Sequence, residues 1–147
     1  MQKTHCVFCD TEAVRGREVF RNNLAWAFLT NIPIVPGHML ICPIRCVASF
    51  DELTEGEVKA IFDIRDRLQK ALVKTFGAEG FNYAWNEGAL AGQNVQHFHL
   101  HMLPRKVGDT GIDQYEPRKF LYRPGSREAS PESELKAVSK IIKKEIK

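Results

Sequence analysis

Three histidines alternate with apolar residues in the run His97-Phe98-His99-Leu100-His101. Alternate side chains of a β-strand point to the same face, so this spacing predicts that the three imidazoles line one face of a strand over residues 95–103. The apolar side chains between them would then face the core. Three imidazoles in a row are costly to place on a sheet unless they have a function, so ordinary buried histidines explain the pattern poorly.

Two kinds of chemistry fit such a strand. Paired histidines at positions i and i+2 can chelate zinc or iron. A neutral imidazole nitrogen can instead attack phosphorus and form a covalent intermediate, and histidine, which titrates near pH ~6.5, is largely neutral at pH 7. An oxygenase-type metal centre would also need a carboxylate close to the histidines, and this run lacks one.

The residues before the histidines favour phosphoryl chemistry. Gly92 lets backbone amides approach a ligand closely. Neutral donors suited to phosphate oxygens lie around it, at Asn86, Gln93 and Asn94. Fixed donors of this kind stabilise the charge of a phosphoryl-transfer transition state. The loop over residues 86–96 is therefore predicted to bind phosphate.

These features together resemble the histidine-triad (HIT) family, whose signature is His-φ-His-φ-His-φ-φ with φ apolar. Residues 97–103 match it at every position. The resemblance extends over roughly residues 6–106 and includes Pro36-Gly37-His38, Asn86-Glu87-Gly88 and Gly92-Gln93. Residues 103–106 are similar to the fragile-histidine-triad branch, which cleaves dinucleoside polyphosphates. Residues 86–88 are similar to the branch that hydrolyses nucleoside phosphoramidates.

The resemblance implies a nucleotide hydrolase or transferase. It would cleave a phosphoanhydride or phosphoramidate at the α-phosphate of a purine nucleotide, through a nucleotidyl-histidine intermediate. His99 matches the nucleophile, His101 the histidine that contacts the phosphate or the leaving group, and His38 a supporting histidine. His97, the first histidine of the triad, completes the implied catalytic set. The implied phosphate-binding loop comprises Asn86, Gly92, Gln93, Asn94 and Val95. Thr30, with Asn31 beside it, stands where the family often carries an Asp or Asn that holds the ribose.

Four cysteines raise a separate question of metal binding. Cys6 and Cys9 form a C-x-x-C pair, which needs two further ligands for a tetrahedral zinc site. The resemblance implies a structural zinc held by Cys6, Cys9, Cys46 and His97, the first histidine of the triad, with no metal required for catalysis. The alternative is that these are free thiols. Cys42 lies in an apolar run and is predicted to be a core residue.

The predicted elements form an α+β fold, and the resemblance implies a mainly antiparallel sheet of about five strands. Apolar runs on either side of residues 21–23 predict a hairpin, residues 31–37 a loop, and residues 38–42 and 81–86 further strands. A capping box at Thr54 begins a long helix over 54–76, and Gly77 ends it. A long loop over 106–125 leads to a basic amphipathic helix over 131–146. This helix either docks on the domain or binds an anionic partner or a membrane surface.

Composition sets the remaining expectations. The chain has 147 residues, of which 44% are hydrophobic and 27% charged, and a formal net charge of +3. These values predict one globular domain over residues 1–147, and the resemblance implies a homodimer. No apolar run approaches the roughly 20 residues that span a bilayer, and the first residues do not form a secretion signal. We therefore expect a cytoplasmic protein without membrane or nucleic-acid partners. The open alternatives are a nucleotide-binding adaptor and a DNA-adenylate hydrolase.

Overall fold

The computed structural model describes residues 6–9, 11–109 and 129–146. Its helices are α1 (Glu12–Arg15), α2 (Glu55–Phe76) and α3 (Glu132–Glu145). Its strands are β1 (Glu18–Arg21), β2 (Ala25–Leu29), β3 (Met39–Pro43), β4 (Gly80–Ala84) and β5 (Leu100–Arg105). The strands form one antiparallel sheet in the order β1-β2-β3-β5-β4, which confirms the predicted α+β class.

The hairpin between β1 and β2 closes on a single asparagine side chain. Asn22 Oδ1 accepts hydrogen bonds from the amides of Leu24, at 3.0 Å, and Ala25, at 2.8 Å. Asparagine favours turns because its side chain can bond the backbone a few residues on. The turn predicted over residues 21–23 is therefore present, and β2 continues from it into the centre of the sheet.

Helix α2 begins and ends where its sequence predicts. Thr54 Oγ1 accepts from the Glu57 amide at 3.1 Å, and a Glu57 carboxylate oxygen accepts from the Thr54 amide at 2.9 Å, forming a capping box. Gly77 follows in the left-handed region, with φ of 65°, and ends the helix. The helix buries its apolar side chains against the sheet, at Ile61, Ile64, Leu68 and Leu72.

The strand that carries the histidines is shorter than predicted. The prediction began it at residue 95, but β5 begins at Leu100, so His97 and His99 lie in irregular backbone before it. Here the Phe98 amide donates to the Val47 carbonyl at 2.6 Å instead of joining the β-ladder. The predicted alternation nevertheless holds, because Phe98, Leu100 and Met102 are all buried in the main core.

Helix α3 docks on the domain, as one of the two interpretations of its sequence predicted. Leu135 and Ile142 are buried in the main core with α2, whereas Ile141 is exposed despite its place in the apolar pattern. Most of the predicted long loop, residues 110–125, lies outside the described residues. No helix in the described part of the chain has the length and apolarity needed to cross a membrane.

The sheet has two differently covered faces. Helices α2 and α3 cover one face, over the main core. A second apolar cluster covers part of the other face and contains Phe8, Val14, Trp26, Phe28, Leu40 and Cys42. Leu40 is the cross-strand partner of His101, so the histidine side chain of β5 belongs to this second face. Cys42 is fully buried there, which confirms the prediction that it is a core residue.

Candidate active site

His38 and His101 form a hydrogen-bonded pair whose direction is set by the backbone. The Ile34 amide donates to His38 Nδ1 at 3.1 Å, so His38 carries its proton on Nε2. His38 Nε2 lies 2.9 Å from His101 Nδ1 and therefore donates to it. The neutral His101 ring must then carry its own proton on Nε2.

His99 is held in the tautomer that suits a nucleophile. Its Nδ1 donates to the carbonyl oxygen of His97 at 2.7 Å, so Nε2 keeps its lone pair. Burial lowers the pKa of His99, and the neighbouring His97 lowers it further, against the opposing effect of the hydrogen bond to the carbonyl. The ring is therefore neutral near pH 7, with one nitrogen able to attack an electrophile.

Two other rings flank the His99 imidazole. The His101 ring lies at a centroid distance of 5.0 Å and an interplanar angle of 64°. The Phe8 ring approaches at 5.1 Å and 75°. The structure thus brings His38, His99 and His101 together on one face of the sheet.

The His97 side chain lies beside the cysteines of the N-terminal turn. Its Nε2 donates to the Pro43 carbonyl at 2.7 Å, so Nδ1 keeps a lone pair. That Nδ1 lies 3.4 Å from Cys6 Sγ and 3.6 Å from Cys9 Sγ. Together with Cys46 these residues place four ligand atoms within 4.8 Å of one another. A sulfur and a nitrogen that share one tetrahedral zinc ion lie about 3.6 Å apart, so the set fits such an ion.

Without a cation, the Cys6 and Cys9 thiols hold their protons. Burial and hydrogen bonds to Cys46 and Cys6 raise the pKa of Cys9 to about 12, and burial also raises the pKa of Cys6. A bound divalent cation reverses this preference, because coordination deprotonates a thiol outright. Cys6 and Cys9 therefore require a cation if they are to be thiolates near pH 7.

The glycine-rich loop before the histidines is organised by Gln93. The Gly88 amide donates to Gln93 Oε1 at 2.8 Å, and Gln93 Nε2 donates to the carbonyls of Ala48 and Val95, at 2.9 and 3.2 Å. Both ends of this carboxamide therefore have backbone partners, at Gly88 and Val95 in the loop and at Ala48 outside it, whereas the sequence predicted a donor to phosphate. Gly92, with φ of 93°, adopts a conformation that glycine tolerates best.

The other predicted loop residues differ in exposure. Asn86 is buried at the base of the loop, where its Nδ2 donates to the Gly92 carbonyl at 3.5 Å. Asn94 is exposed and Val95 is half-buried. Asn94 therefore presents its side chain at the surface, while Asn86 supports the loop from beneath.

Residues 46–48 tie the cysteine cluster to this loop. Cys46 Sγ lies 3.6 Å from the Gln96 carbonyl, Val47 accepts from the Phe98 amide, and Ala48 accepts from the Gln93 side chain. The sequence did not predict this connection, because every residue has a backbone carbonyl and the residue type does not show which carbonyl accepts a hydrogen bond. It also missed Phe8, which in the sequence is only a spacer between two cysteines.

The two residues predicted to hold a ribose lie beside His38 but differ in direction. Thr30 is buried, its Oγ1 accepts from the Ile32 amide at 3.3 Å, and its own amide donates to the His38 carbonyl at 3.2 Å. Asn31 is exposed, and its carbonyl accepts from the Ser130 amide at 2.7 Å. Of the two, Asn31 presents its side chain to the surface.

A model of the HIT domain matches residues 12–108, well over half of the chain. The chain belongs to the HIT family. It is 31% identical over 121 residues to a bis(5'-adenosyl)-triphosphatase of Dictyostelium discoideum, a match that covers 82% of this chain and 78% of that protein. It is 39% identical over 95 residues to an asymmetrical bis(5'-nucleosyl)-tetraphosphatase of Schizosaccharomyces pombe, covering 64% of this chain and 52% of the relative.

Solved HIT structures share the fold. The diadenosine triphosphate hydrolase of Plasmodium falciparum superposes with a TM-score of 0.75 at 20% identity, covering 98% of this chain and 85% of that one. A zinc-bound HIT protein of Mycobacterium smegmatis gives a TM-score of 0.71 at 23% identity, covering 95% and 91%. The relatives confirm the prediction of a HIT-family hydrolase, and these structures confirm the fold.

Replacing Gln93 with leucine should destabilise the protein by about 2 kcal/mol, because the Gly88 amide and the Ala48 carbonyl would lose their partners. Urea unfolding measures this loss. Asn94→Ala, at an exposed position of the same loop, should change the unfolding free energy by less than about 0.5 kcal/mol. Equal effects of the two substitutions would contradict the organising role of Gln93.

Proposed function

We propose that this HIT protein cleaves a dinucleoside polyphosphate or a nucleoside phosphoramidate at the α-phosphate, with His99 as nucleophile. The observation that carries the proposal is the hydrogen bond from His99 Nδ1 to the His97 carbonyl, which leaves the lone pair on Nε2. The names of the Dictyostelium and Schizosaccharomyces relatives, a triphosphatase and a tetraphosphatase, support this substrate class.

The reaction proceeds in two displacements. His99 Nε2 attacks the α-phosphorus, a P–N bond forms, and the bond to the leaving group breaks; the leaving group departs as a phosphate or, with a proton from solvent, as an amine. Water then attacks the same phosphorus, the P–N bond breaks, the surplus water proton passes to solvent, and a nucleoside monophosphate and a neutral His99 remain. We assign to His101 the contact with a phosphate oxygen, and His38, which donates to His101 Nδ1, holds the His101 tautomer that carries its proton on Nε2.

Binding of the substrate is divided between two regions. We assign the phosphate to the loop of Asn86, Gly92, Asn94 and Val95, which Gln93 holds in shape. We assign the ribose of a purine nucleotide to the segment of Thr30 and Asn31, since this segment is bonded to the His38 backbone. Asn31, whose side chain is exposed, is the better placed of these two residues to contact a hydroxyl.

We propose that the cysteine cluster of Cys6, Cys9, Cys46 and His97 holds a structural zinc. The donor chemistry supports it, since three sulfurs and one nitrogen lie within 4.8 Å of one another. The zinc-bound HIT structure of Mycobacterium smegmatis offers a precedent. Zinc would supply a closed tetrahedral link between the N-terminal turn and His97, while the substrate would be attacked without it.

We further propose a homodimer that pairs through the edge strand β4. This strand lies at one end of the sheet order, and Tyr83 and Trp85 at its C-terminal end are large exposed apolar side chains. Unpaired edges with exposed aromatics are ready-made pairing surfaces. Because α3 packs into the core that α2 and the sheet share, we assign the chain to one domain.

His99→Ala should reduce hydrolysis of a dinucleoside polyphosphate by about 10³-fold or more, because no other group would take over attack on phosphorus. Val73→Ala, at an exposed position of α2 away from the site, should retain wild-type turnover. Rapid acid quench and mass spectrometry should find a nucleotidyl adduct on His99 of the wild type. Equal turnover by His99→Ala and wild type would refute the proposal.

Protein purified without added zinc should contain close to one zinc per chain by elemental analysis. Cys46→Ser should lower that content and the melting temperature, because a structural zinc site contributes directly to folding. Cys42→Ala is the matched control, since its thiol lies in the apolar cluster and should leave the zinc content unchanged. Zinc-free wild type with the same melting temperature as zinc-loaded protein would contradict a structural role.

Sedimentation velocity should show a dimer for the wild type and a monomer for Tyr83→Glu, because a carboxylate on the edge strand would have to be desolvated in the interface. Ile141→Glu changes an exposed apolar side chain on α3 and should leave the dimer intact. A monomeric wild type at micromolar concentration would end the dimer proposal.

A further inference from the structure

Phe8 lies within the Cys6–Cys9 turn, and its side chain is more deeply buried than those of the other residues of the turn. The Phe8 side chain is 9% exposed, whereas Val7, which lies between the same two cysteines, is 45% exposed. The Phe8 amide donates to Cys6 Sγ at 3.3 Å, which fixes the backbone of the turn against the cysteine cluster. The turn therefore delivers one aromatic ring to the interior and leaves its neighbour in solvent.

The ring meets the proposed nucleophile edge to face. The Phe8 centroid lies 5.1 Å from that of His99 at 75°, and 6.3 Å from that of His97 at 66°. On another side it lies 5.2 Å from Phe28. Near-perpendicular ring pairs at such distances attract each other through their quadrupoles, beyond the effect of burial.

This contact restrains a motion that the hydrogen bond of His99 leaves open. The bond from Nδ1 to the His97 carbonyl selects the tautomer, but a single bond lets the imidazole swing about its acceptor. The His101 ring restricts rotation of the His99 imidazole through one edge-to-face contact, and the Phe8 ring restricts it through another. In-line attack on phosphorus depends on the direction of the Nε2 lone pair, so a misaligned ring reacts more slowly.

We propose that Phe8 is a positioning residue for His99, and that a metal bound to the cysteine cluster holds Phe8 in place for this task. This inference rests on the proposed function. It assigns the cysteine cluster a role in the rate of the reaction, exerted through an aromatic ring, in addition to its role in stability.

The kinetic test compares Phe8→Ala and Phe8→Leu with Val7→Ala, which alters the exposed residue of the same turn. All proteins are loaded with zinc, and their zinc content is measured. Phe8→Ala should lower kcat for a dinucleoside polyphosphate by about three- to tenfold, the factor expected from one lost ring contact. KM should stay near the wild-type value, Phe8→Leu should lie between the two, and Val7→Ala should match wild type.

A spectroscopic test separates positioning from general packing. Long-range ¹H–¹⁵N spectra of the imidazoles should show one Nδ1-protonated state of His99 in wild type, and exchange broadening or a second state in Phe8→Ala. Phe28→Leu is the structural control, because Phe28 packs on Phe8 and Trp26 in the same cluster. It should lower the melting temperature and leave both kcat and the His99 signals unchanged.

Removal of zinc with a chelator, followed by the same spectra, tests the contribution of the metal. The His99 signals of the metal-free protein should resemble those of Phe8→Ala and should recover on adding zinc. Unchanged signals without metal would overturn the coupling. A Phe8→Ala variant with wild-type kcat and spectra, or a Phe28→Leu variant with equal losses, would overturn the positioning role.

The two proposals fail in different ways. A wild-type protein that hydrolyses no nucleotide defeats the proposed function, although the His99 spectra still report whether Phe8 orders the ring. A wild type that hydrolyses the substrate, combined with a Phe8→Ala variant that matches it, defeats this inference and leaves the function standing.

Discussion

One hydrogen bond, from His99 Nδ1 to the carbonyl oxygen of His97, sets the chemical character of the site. The acceptor is well anchored, because the His97 ring is bonded at one nitrogen to the Pro43 carbonyl and faces two thiols with the other. His97 thus contributes its side chain to the cysteine cluster and its backbone to the candidate nucleophile. The two sites share one residue, and neither can shift without the other.

The sheet explains why the histidines lie where they do. Its central strands are buried on both faces, and α2 and α3 supply the apolar cover of one face. On the other face the smaller cluster around Phe8 and Trp26 covers only part of the surface, and the imidazoles occupy the region beside it. A rigid, deeply packed scaffold therefore supports polar groups on the face with less apolar cover, as a preorganised site requires.

Features that depend on local chemistry could be predicted from the sequence. The capping box at Thr54, the helix end at Gly77 and the alternation of Phe98, Leu100 and Met102 each follow from side-chain size, polarity or backbone freedom over a few residues. The grouping of Cys6 and Cys9 with Cys46 and His97 followed from the family resemblance, and the structure brings all four together.

Features that depend on a distant backbone partner could not be predicted. The strand begins late, at Leu100, because Phe98 bonds to Val47, far away in sequence. The carboxamide of Gln93 turns inward because the Ala48 carbonyl happens to lie beneath it. Hydrophobic periodicity reports which side chains are buried, but every residue offers the same carbonyl, so a sequence does not reveal which one accepts.

The loop between β2 and β3 has a consequence for the polarity of the histidine pair. Pro33 and Pro36 have no amide hydrogen and restrict the backbone, so the loop holds the Ile34 amide against His38 with little conformational freedom to lose. That amide makes His38 a donor to His101 and never its acceptor. If the amide turned away, His101 could donate from Nδ1 to His38 Nε2 instead of accepting from it. His101 Nε2 would then carry a lone pair and would repel an anionic substrate. A backbone N–H, which does not titrate, therefore fixes the direction of the hydrogen bond between His38 and His101.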